Sequence, residues 1–452
     1  MSAPRSIDDF LDECIRRADA YLVLPAYDRA IESKRRNEID AILLKSSRLR
    51  LVLSNLPFTP SSVLARLVAE PSEAIFLRVA RNPNADAATL DYIYARTQMV
   101  EARRAIANHR NATPDTLDRL AASEDGEIRA LVASNRNTAS ETLRALFARE
   151  DSGLWAAIAR HVHADANLLR VIFERSSRRE RAEVLGNSNC PPDLLQNNYK
   201  SDDPLVRRKC ASNEALPTAL RLALVEDSDA SVRAEALGGL PDPANEGEGS
   251  RADGSKYVRR VQARRSDVSD ELIQRLSRDP DAWVRRWLAR NSMTPDGVLH
   301  QLLLDDDEGV RRALGRNRKT PPDLLTRIAI DAVAWVRASV ADRKDLPKSS
   351  LRLLEKDCSP DVLSGVARNP TSRPSLLSAL ARSDDAAIRR AVILNKAAPR
   401  RVLRNLCEDD YPLNRAMAVS HENLRIEDFW ASAADPEPQV RFAVGKRAAA
   451  CL

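Results

Sequence analysis

The sequence predicts an all-α protein, a solenoid of about sixteen two-helix repeats with no β-sheet, and three observations predict it. First, Val310–Leu325, VRRALGRNRKTPPDLL, recurs 26 residues earlier as Val284–Leu299, VRRWLARNSMTPDGVL, and 52 residues later as Val362–Leu377, VLSGVARNPTSRPSLL. A fixed period of this length marks stacked repeats. Second, each copy carries helix start and stop signals at the same places. Third, aromatic residues make up only 4% of the chain, which suits thin two-layer packing better than a thick globular core.

Residues 307–325 contain every signal one repeat needs. Asp307 is a helix N-cap, and Val310, Ala313 and Leu314 follow at i, i+3, i+4 as the buried stripe. The helix stops near Asn317, a residue type that tolerates the left-handed backbone of a helix end. Thr320 then caps a second helix with Pro321 at its first position, and Leu324, Leu325 and Ile328 form its stripe. Two or three turns do not survive alone in water, so each helix must be held by its neighbours.

With the phase fixed on Asn317, steps of 26 land on Asn291, Arg265, Gly239, Asn213, Asn187, His161, Asn135 and His109 in one direction. In the other they land on Arg343, Asn369, Asn395, His421 and Arg447, and Asn82 and Asn55 follow at a spacing of 27. Residues 1–50 depart from the repeat. There Ile7, Phe10, Leu11, Cys14 and Ile15 make one amphipathic stripe and Ile39, Ile42 and Leu43 another, as expected of a helical cap over an open solenoid end. A first repeat block occupies 51–240. Residues 241–256 put glycine, proline and acidic residues where a second helix belongs, which predicts a flexible loop and a notch or hinge. The period resumes at Val258, and 257–452 form a second, more basic block whose last unit stops after one helix.

The 452-residue chain has no basic-then-apolar leader and no apolar run near eighteen residues, so neither secretion nor a membrane partner is expected. Its six cysteines are scattered without CxxC spacing, which reads as reduced cytoplasmic thiols. The formal net charge is +6 with pI about 9.0, which suits an acidic partner without requiring one. Only 11 of the 71 cations are lysine, a bias that a GC-rich genome also produces.

The pattern Val-Arg-x-x-Val-Ala-x-Asn-x-x-Thr-Pro-x-x-x-Leu, clearest in 284–299 and 310–325, resembles the leucine-rich repeat variant family over roughly residues 50–452. The resemblance implies a right-handed superhelix of alternating α and 3₁₀ helices; the Asp-x-x-Val-Arg start, as at Asp281–Arg285, is also similar to HEAT repeats. Some members of the variant family hold an N-terminal iron–sulfur cluster. Cys14 stands alone until Cys190, so that cofactor is not carried over and no cofactor or metal is expected.

Two arginine sets stand out. Arg129, Arg207, Arg233, Arg285, Arg311 and Arg389 each follow an aspartate by four residues, which predicts an internal ion-pair ladder and removes them from any binding site. Arg260 and Arg264, Arg286 and Arg290, and Arg312 and Arg316 hold two fixed positions in three consecutive repeats, beside Trp283 and Trp287. That strip is either a solvated helix face or a clamp for a phosphate backbone or an acidic protein segment. His109, His161 and His421 fall on the Asn anchor and read as structural, and His161-x-His163 is too little for a metal claim. The sequence carries no GxSxG, glycine-rich phosphate loop or HExxH motif. The expected function is a non-enzymatic scaffold for a protein or peptide partner, for which the basic charge suits an acidic one. Nucleic-acid backbone binding is the second reading. A third, which the similarity to HEAT repeats implies because some HEAT-like solenoids are DNA alkyl-base glycosylases, would use Asp281 beside Trp283 and Trp287.

Overall fold

A computed structural model of the chain describes residues 3–32, 34–70, 72–240 and 253–452. All regular structure among the described residues is helical, with no strand, as the fold class requires. Of the segment expected to form a loop, 241–252 lie outside the described residues. The chain divides into two compact units, Leu11–Gly239 and Leu240–Leu452 with Met1–Phe10.

Within each unit the repeat is a first helix, a turn and a second helix. The first helices stack in series. In one unit the run passes from Glu73–Arg81 through Val100–Ala107, Gly126–Ser134 and Ser152–Arg160 to Ala230–Gly238. In the other it passes from Lys256–Gln262 through Ala282–Arg290, Glu308–Gly315, Ala334–Ala341, Pro360–Arg368 and Ala386–Ile393 to Pro438–Cys451. The second helices are α, for example Asp296–Leu302 and Pro322–Ile328, and 3₁₀ geometry is confined among the described residues to Leu24–Ala26 and Trp430–Ala434. The reason is the stripe: Leu324, Leu325 and Ile328 all reach the core only at 3.6 residues per turn, and each is at most 1% exposed. Full burial of such a side chain contributes about 1.5–3 kcal/mol, which is what holds helices too short to persist alone.

The helix starts follow the sequence. Asp307 accepts from Val310 N at 2.9 Å, and Asp125, Asp203, Asp229, Asp281 and Asp385 cap their own helices in the same way. The helix ends do not. Among the described residues only Ala18, Lys34 and Glu150 have positive φ apart from glycine, so no anchor asparagine is left-handed. Asn135, Asn291 and Asn369 are extended, with ψ of 122°, 127° and 124°. That conformation aims the side chain at the preceding repeat. Asn317 Nδ2 donates to Ala289 O at 2.8 Å and Asn291 O at 3.1 Å, while its Oδ1 accepts from Lys319 N. Asn135, Asn187, Asn213, Asn291, Asn369 and Asn395 repeat this bridge to carbonyls 28 and 26 residues back. Thr320 likewise turns backward: its hydroxyl donates to Leu314 O at 2.6 Å, closing the first helix instead of capping the second, which starts at Pro322 without a side-chain cap.

The anchor can be another donor. Arg343 Nη1 donates to Gly315 O and Asn317 O. At His109, His161 and His421, Nε2 meets the carbonyl of Asn82, Asn135 and Asn395, while Nδ1 accepts an N–H two residues ahead. This pair of contacts fixes the neutral, Nε2-protonated tautomer. At Gly239 the anchor has no side chain, and Arg221 from another helix supplies one: its guanidinium donates to Ala211 O and Asn213 O, the carbonyls 28 and 26 residues before Gly239. A Cβ on Gly239 would collide with that guanidinium.

The ion-pair ladder exists, but its rungs are not the i, i+4 pairs expected. The aspartate four residues back is engaged by helix N–H groups, so the arginine reaches forward instead. Arg207 meets Asp227, Arg285 Asp305, Arg311 Asp331 and Arg389 Asp409, at 2.6–2.7 Å and 20 residues apart. Arg259, Arg337 and Arg415 form the same rung with Asp279, Asp357 and Asp435. Arg129 reaches Asp151 at 3.2 Å. Each rung also ties backbone, since Arg311 Nη1 donates to Asp305 O, the residue whose carboxylate holds Arg285.

Two expectations test this scheme. Arg221→Leu orphans two carbonyls, at a cost of about 1–3 kcal/mol each, and should weaken hydrogen-exchange protection of Pro204–Ser212 and Ala230–Gly238. Gly239→Asn should restore protection in that background while disturbing the wild type; absence of rescue refutes the substitution of one donor for the other. The second concerns acid. Burial, outweighing the carbonyl hydrogen bond, holds His109, His161 and His421 below the ordinary value of 6.5. The unfolded chain therefore takes up protons first, and stability present above pH 6.5 should fall as pH drops below it. His300, raised by the Asp296 carbonyl and by Asp323, works in the opposite direction. The triple variant H109N/H161N/H421N should show a flatter urea midpoint between pH 7 and 5 than wild type.

Candidate functional site

Six first helices, from Lys256–Gln262 to Ala386–Ile393, present the same side-chain columns at steps of 26 residues. One column reads Arg260, Arg286, Arg312, Ala338, Ser364, Arg390; the next reads Arg264, Arg290, Arg316, Asp342, Arg368, Leu394. A third reads Tyr257, Trp283, Gly309, Trp335, Asp361, Ala387.

The arginines of the predicted strip fall into two classes. Arg260 meets Asp281 at 2.7 Å and Arg286 meets Asp307 at 2.8 Å, in each case the N-cap aspartate 21 residues ahead. Gly309 leaves room for the Arg286 guanidinium as it is placed here, since a Cβ there would overlap it. Arg264, Arg290, Arg312 and Arg316 have no hydrogen-bond or ion-pair partner among the described residues. Aromatic faces hold three of them instead: Arg264 lies 4.5 Å and Arg290 5.9 Å from the Trp287 ring centroid, and Arg312 lies 4.6 Å from that of Trp335. Trp283 carries Arg286 at 4.7 Å. A guanidinium stacked on an indole keeps its N–H edge available for an oxyanion.

The local sequence explains the difference. The residue 21 positions beyond Arg312 is Val333, where the two preceding repeats have Asp281 and Asp307. Val333 is extended and gives the Ala334–Ala341 helix no side-chain cap. Arg312 is thereby left without an ion-pair contact, the Asp361 carboxylate acting on it only through space, and its Nε is buried with no hydrogen-bond partner. Burial, with the charge of Arg316 beside it, pulls this guanidinium below its ordinary value.

Beside Arg312 the surface opens into a groove of about 840 Å³. Its floor is small: Gly315, Ala338, Ser339, Ser364, Ala387 and Ala391. Its walls carry Arg312, Arg316, Arg318, Arg343, Lys344, Arg368 and Arg390 against the carboxylates Asp342, Asp345 and Asp361. Arg343 and Asp345 close on each other at 2.6 Å, and Arg390 is steadied by Asn414 at 3.0 Å. A second hollow of about 160 Å³ adjoins it, sharing Arg312, Arg316 and Trp335 and lined further by Trp283, Trp287, Arg286 and Arg290 with no carboxylate. The predicted residues Arg286, Arg290, Arg312, Arg316, Trp283 and Trp287 thus meet in these hollows, whereas Arg260 and Arg264 lie outside their linings. Sequence reading missed Trp335, Arg368 and Arg390. All three are signalled by the same 26-residue step, but the run of arginines is interrupted at Ala338 and Ser364, the residues that make the hollow.

Asp281, the carboxylate a base-excising site would need, is engaged by Arg260 and by Trp283 N at 2.8 Å. Burial raises its carboxyl, but these bonds bring it below the ordinary carboxylate value. Among the described residues no group of three or more His, Cys, Asp or Glu is placed to hold a metal ion, and no helix is long and apolar enough to cross a membrane. His163 Nδ1 meets Thr138 O at 3.0 Å, so both histidines of the His-x-His pair are held by backbone.

No known family pattern and no curated protein matches the chain. Among solved structures it is similar to one described as a leucine-rich repeat variant with a novel repetitive protein structural motif. The two are 25% identical over 54% of this chain and 87% of the other, with a TM-score of 0.32.

Two substitutions acting on the adjacent arginines Arg311 and Arg312 should have opposite effects on stability. Arg311→Met breaks a desolvated rung and should cost about 3–5 kcal/mol. Val333→Asp recreates the cap and bridge of the preceding repeats and should stabilise by about 1 kcal/mol. Urea denaturation of the two variants checks both signs.

Proposed function

We propose that the protein is a non-catalytic binding scaffold whose groove between Trp283 and Leu394 takes an acidic segment of a protein partner. The observation that supports this reading most is the set of uncompensated guanidiniums around an open, small-residue floor. At Arg285, Arg311 and Arg337 the half-buried ladder arginine is matched by a carboxylate of the chain itself, so the unpaired ones here are suited to an outside anion. The volume fits several residues of an extended peptide, and the indole faces add apolar contact.

Nucleic-acid backbone binding is favoured by one observation, the column Arg264, Arg290, Arg316 at one-repeat intervals. Six arginines on duplex phosphates would give a log K against log salt slope of about −5. With Arg260 and Arg286 neutralised by Asp281 and Asp307, four remain and the slope falls to roughly −3.6. Asp342 and Asp361 in the groove also oppose a continuous phosphate strand.

A fluorescent glutamate-rich peptide should bind the full chain in an anisotropy titration and be released by salt. R312E/R316E should abolish binding, while R119E/R136E, an equal charge change at exposed sites in the other unit, should leave it within about twofold. Equal loss in both doubles means non-specific charge attraction. Tighter retention of duplex DNA than of peptide would favour the second reading.

A further inference from the structure

We infer that the hollow at Arg312 recognises a phosphorylated side chain of the bound segment, a dianionic oxyanion in preference to a carboxylate. This rests on the peptide-binding reading above and specifies its ligand.

The argument is one of charge and donor geometry. Arg312 is stacked on Trp335, its Nε is buried and unpartnered, and the chain places Val333 where the preceding repeats supply a neutralising aspartate. Arg316 stands one helical turn away with no hydrogen-bond or ion-pair partner among the described residues, and its like charge bears on Arg312. Arg368 and Arg390 line the same groove across Ser364. A single carboxylate neutralises one of these groups and presents two oxygens. A phosphate monoester carries nearly two charges and three acceptor oxygens, which suits a site where several guanidinium forks face a small-residue floor. Asp342 and Asp361 repel any anion, and a dianion more than a monoanion, so the preference rests on the guanidiniums that outnumber them in the same lining.

The test uses the full chain and three dye-labelled pools of degenerate heptapeptides, with phosphoserine, glutamate or serine at the centre, and an oligothymidylate as a fourth probe. The phosphoserine pool should bind at least tenfold more tightly than the glutamate pool at pH 7.5. The preference should shrink toward pH 5 as the phosphate, with a second pKa of about 6, becomes a monoanion. R312Q and, independently, V333D should each remove the preference. V333D keeps every groove arginine and supplies Arg312 with an internal partner, so its failure to bind cannot be laid to misfolding if its urea midpoint is raised. Equal affinity for the phosphoserine and glutamate pools, both lost in R312Q, would overturn the phosphate inference and leave the peptide reading standing. Binding of none of the three pools would sink both. A phosphate preference that survives R312Q and V333D, or an oligothymidylate that outcompetes the phosphoserine pool, would overturn the inference as well.

Discussion

The fold depends on a side-chain N–H that serves the backbone of the repeat before it. A helix of seven to nine residues leaves a large share of its carbonyls without an intrahelical acceptor role. Here those carbonyls are satisfied from the next turn of the stack: the amide of Asn317 bridges Ala289 O and Asn291 O, and Arg343 then bridges Gly315 O and Asn317 O. A first helix is therefore complete only when its successor is in place, and order passes along the stack as a chain of dependence. What Asn, His and Arg share at this position is a side-chain donor, and Asn135, Asn213, Asn291, Asn369 and His161 present it from the same extended backbone. Gly239 shows the rule by exception, because the donor is kept at the cost of bringing Arg221 from elsewhere.

The arginine–aspartate rungs add a second coupling along the same axis, and they differ from surface ion pairs in burial. Asp279, Asp305 and Asp331 have side chains 4–9% exposed, and each accepts both a bidentate guanidinium and a backbone N–H two residues on. A carboxylate so placed cannot be left alone without a large desolvation penalty. The rungs thus favour one register of stacking: a repeat displaced by even one residue would bury the charge unmatched.

Local features were legible in the sequence and long-range ones were not. The period, the aspartate caps and the stripes of Val310, Leu314, Leu324 and Ile328 are set by contacts within a few residues, which pattern reading detects. The direction of Asn317 and the partner of Arg311 lie 26–28 and 20 residues away. For Arg311 helix spacing points to Asp307, four residues back and a familiar pair. Its prior engagement as an N-cap is what disqualifies it. Arg221 offered no signal, as it stands 18 residues from Gly239 on a different helix. For the groove, the unbroken arginine columns mark part of the walls, while the cavity is made by the small residues that interrupt them, Ala338 and Ser364.

The pairs of adjacent arginines in these repeats show how one composition supports two tasks. In Val-Arg-Arg at 284–286 and 310–312 the two guanidiniums leave the helix about 100° apart. The first turns into the stack, where an aspartate 20 residues ahead holds it. The second turns to the columned face, and its state is decided by the residue 21 positions ahead: Asp281 closes Arg260, Asp307 closes Arg286, Val333 leaves Arg312 open. The valine forgoes both a helix cap and an ion pair, so at this repeat the chain is less stable than its own pattern allows. Because the ladder beneath is intact, with Arg311 on Asp331 at 2.7 Å, the loss stays confined to the face and does not reach the register of the stack. The columned face can then be altered one cap residue at a time while the architecture that presents it stays fixed.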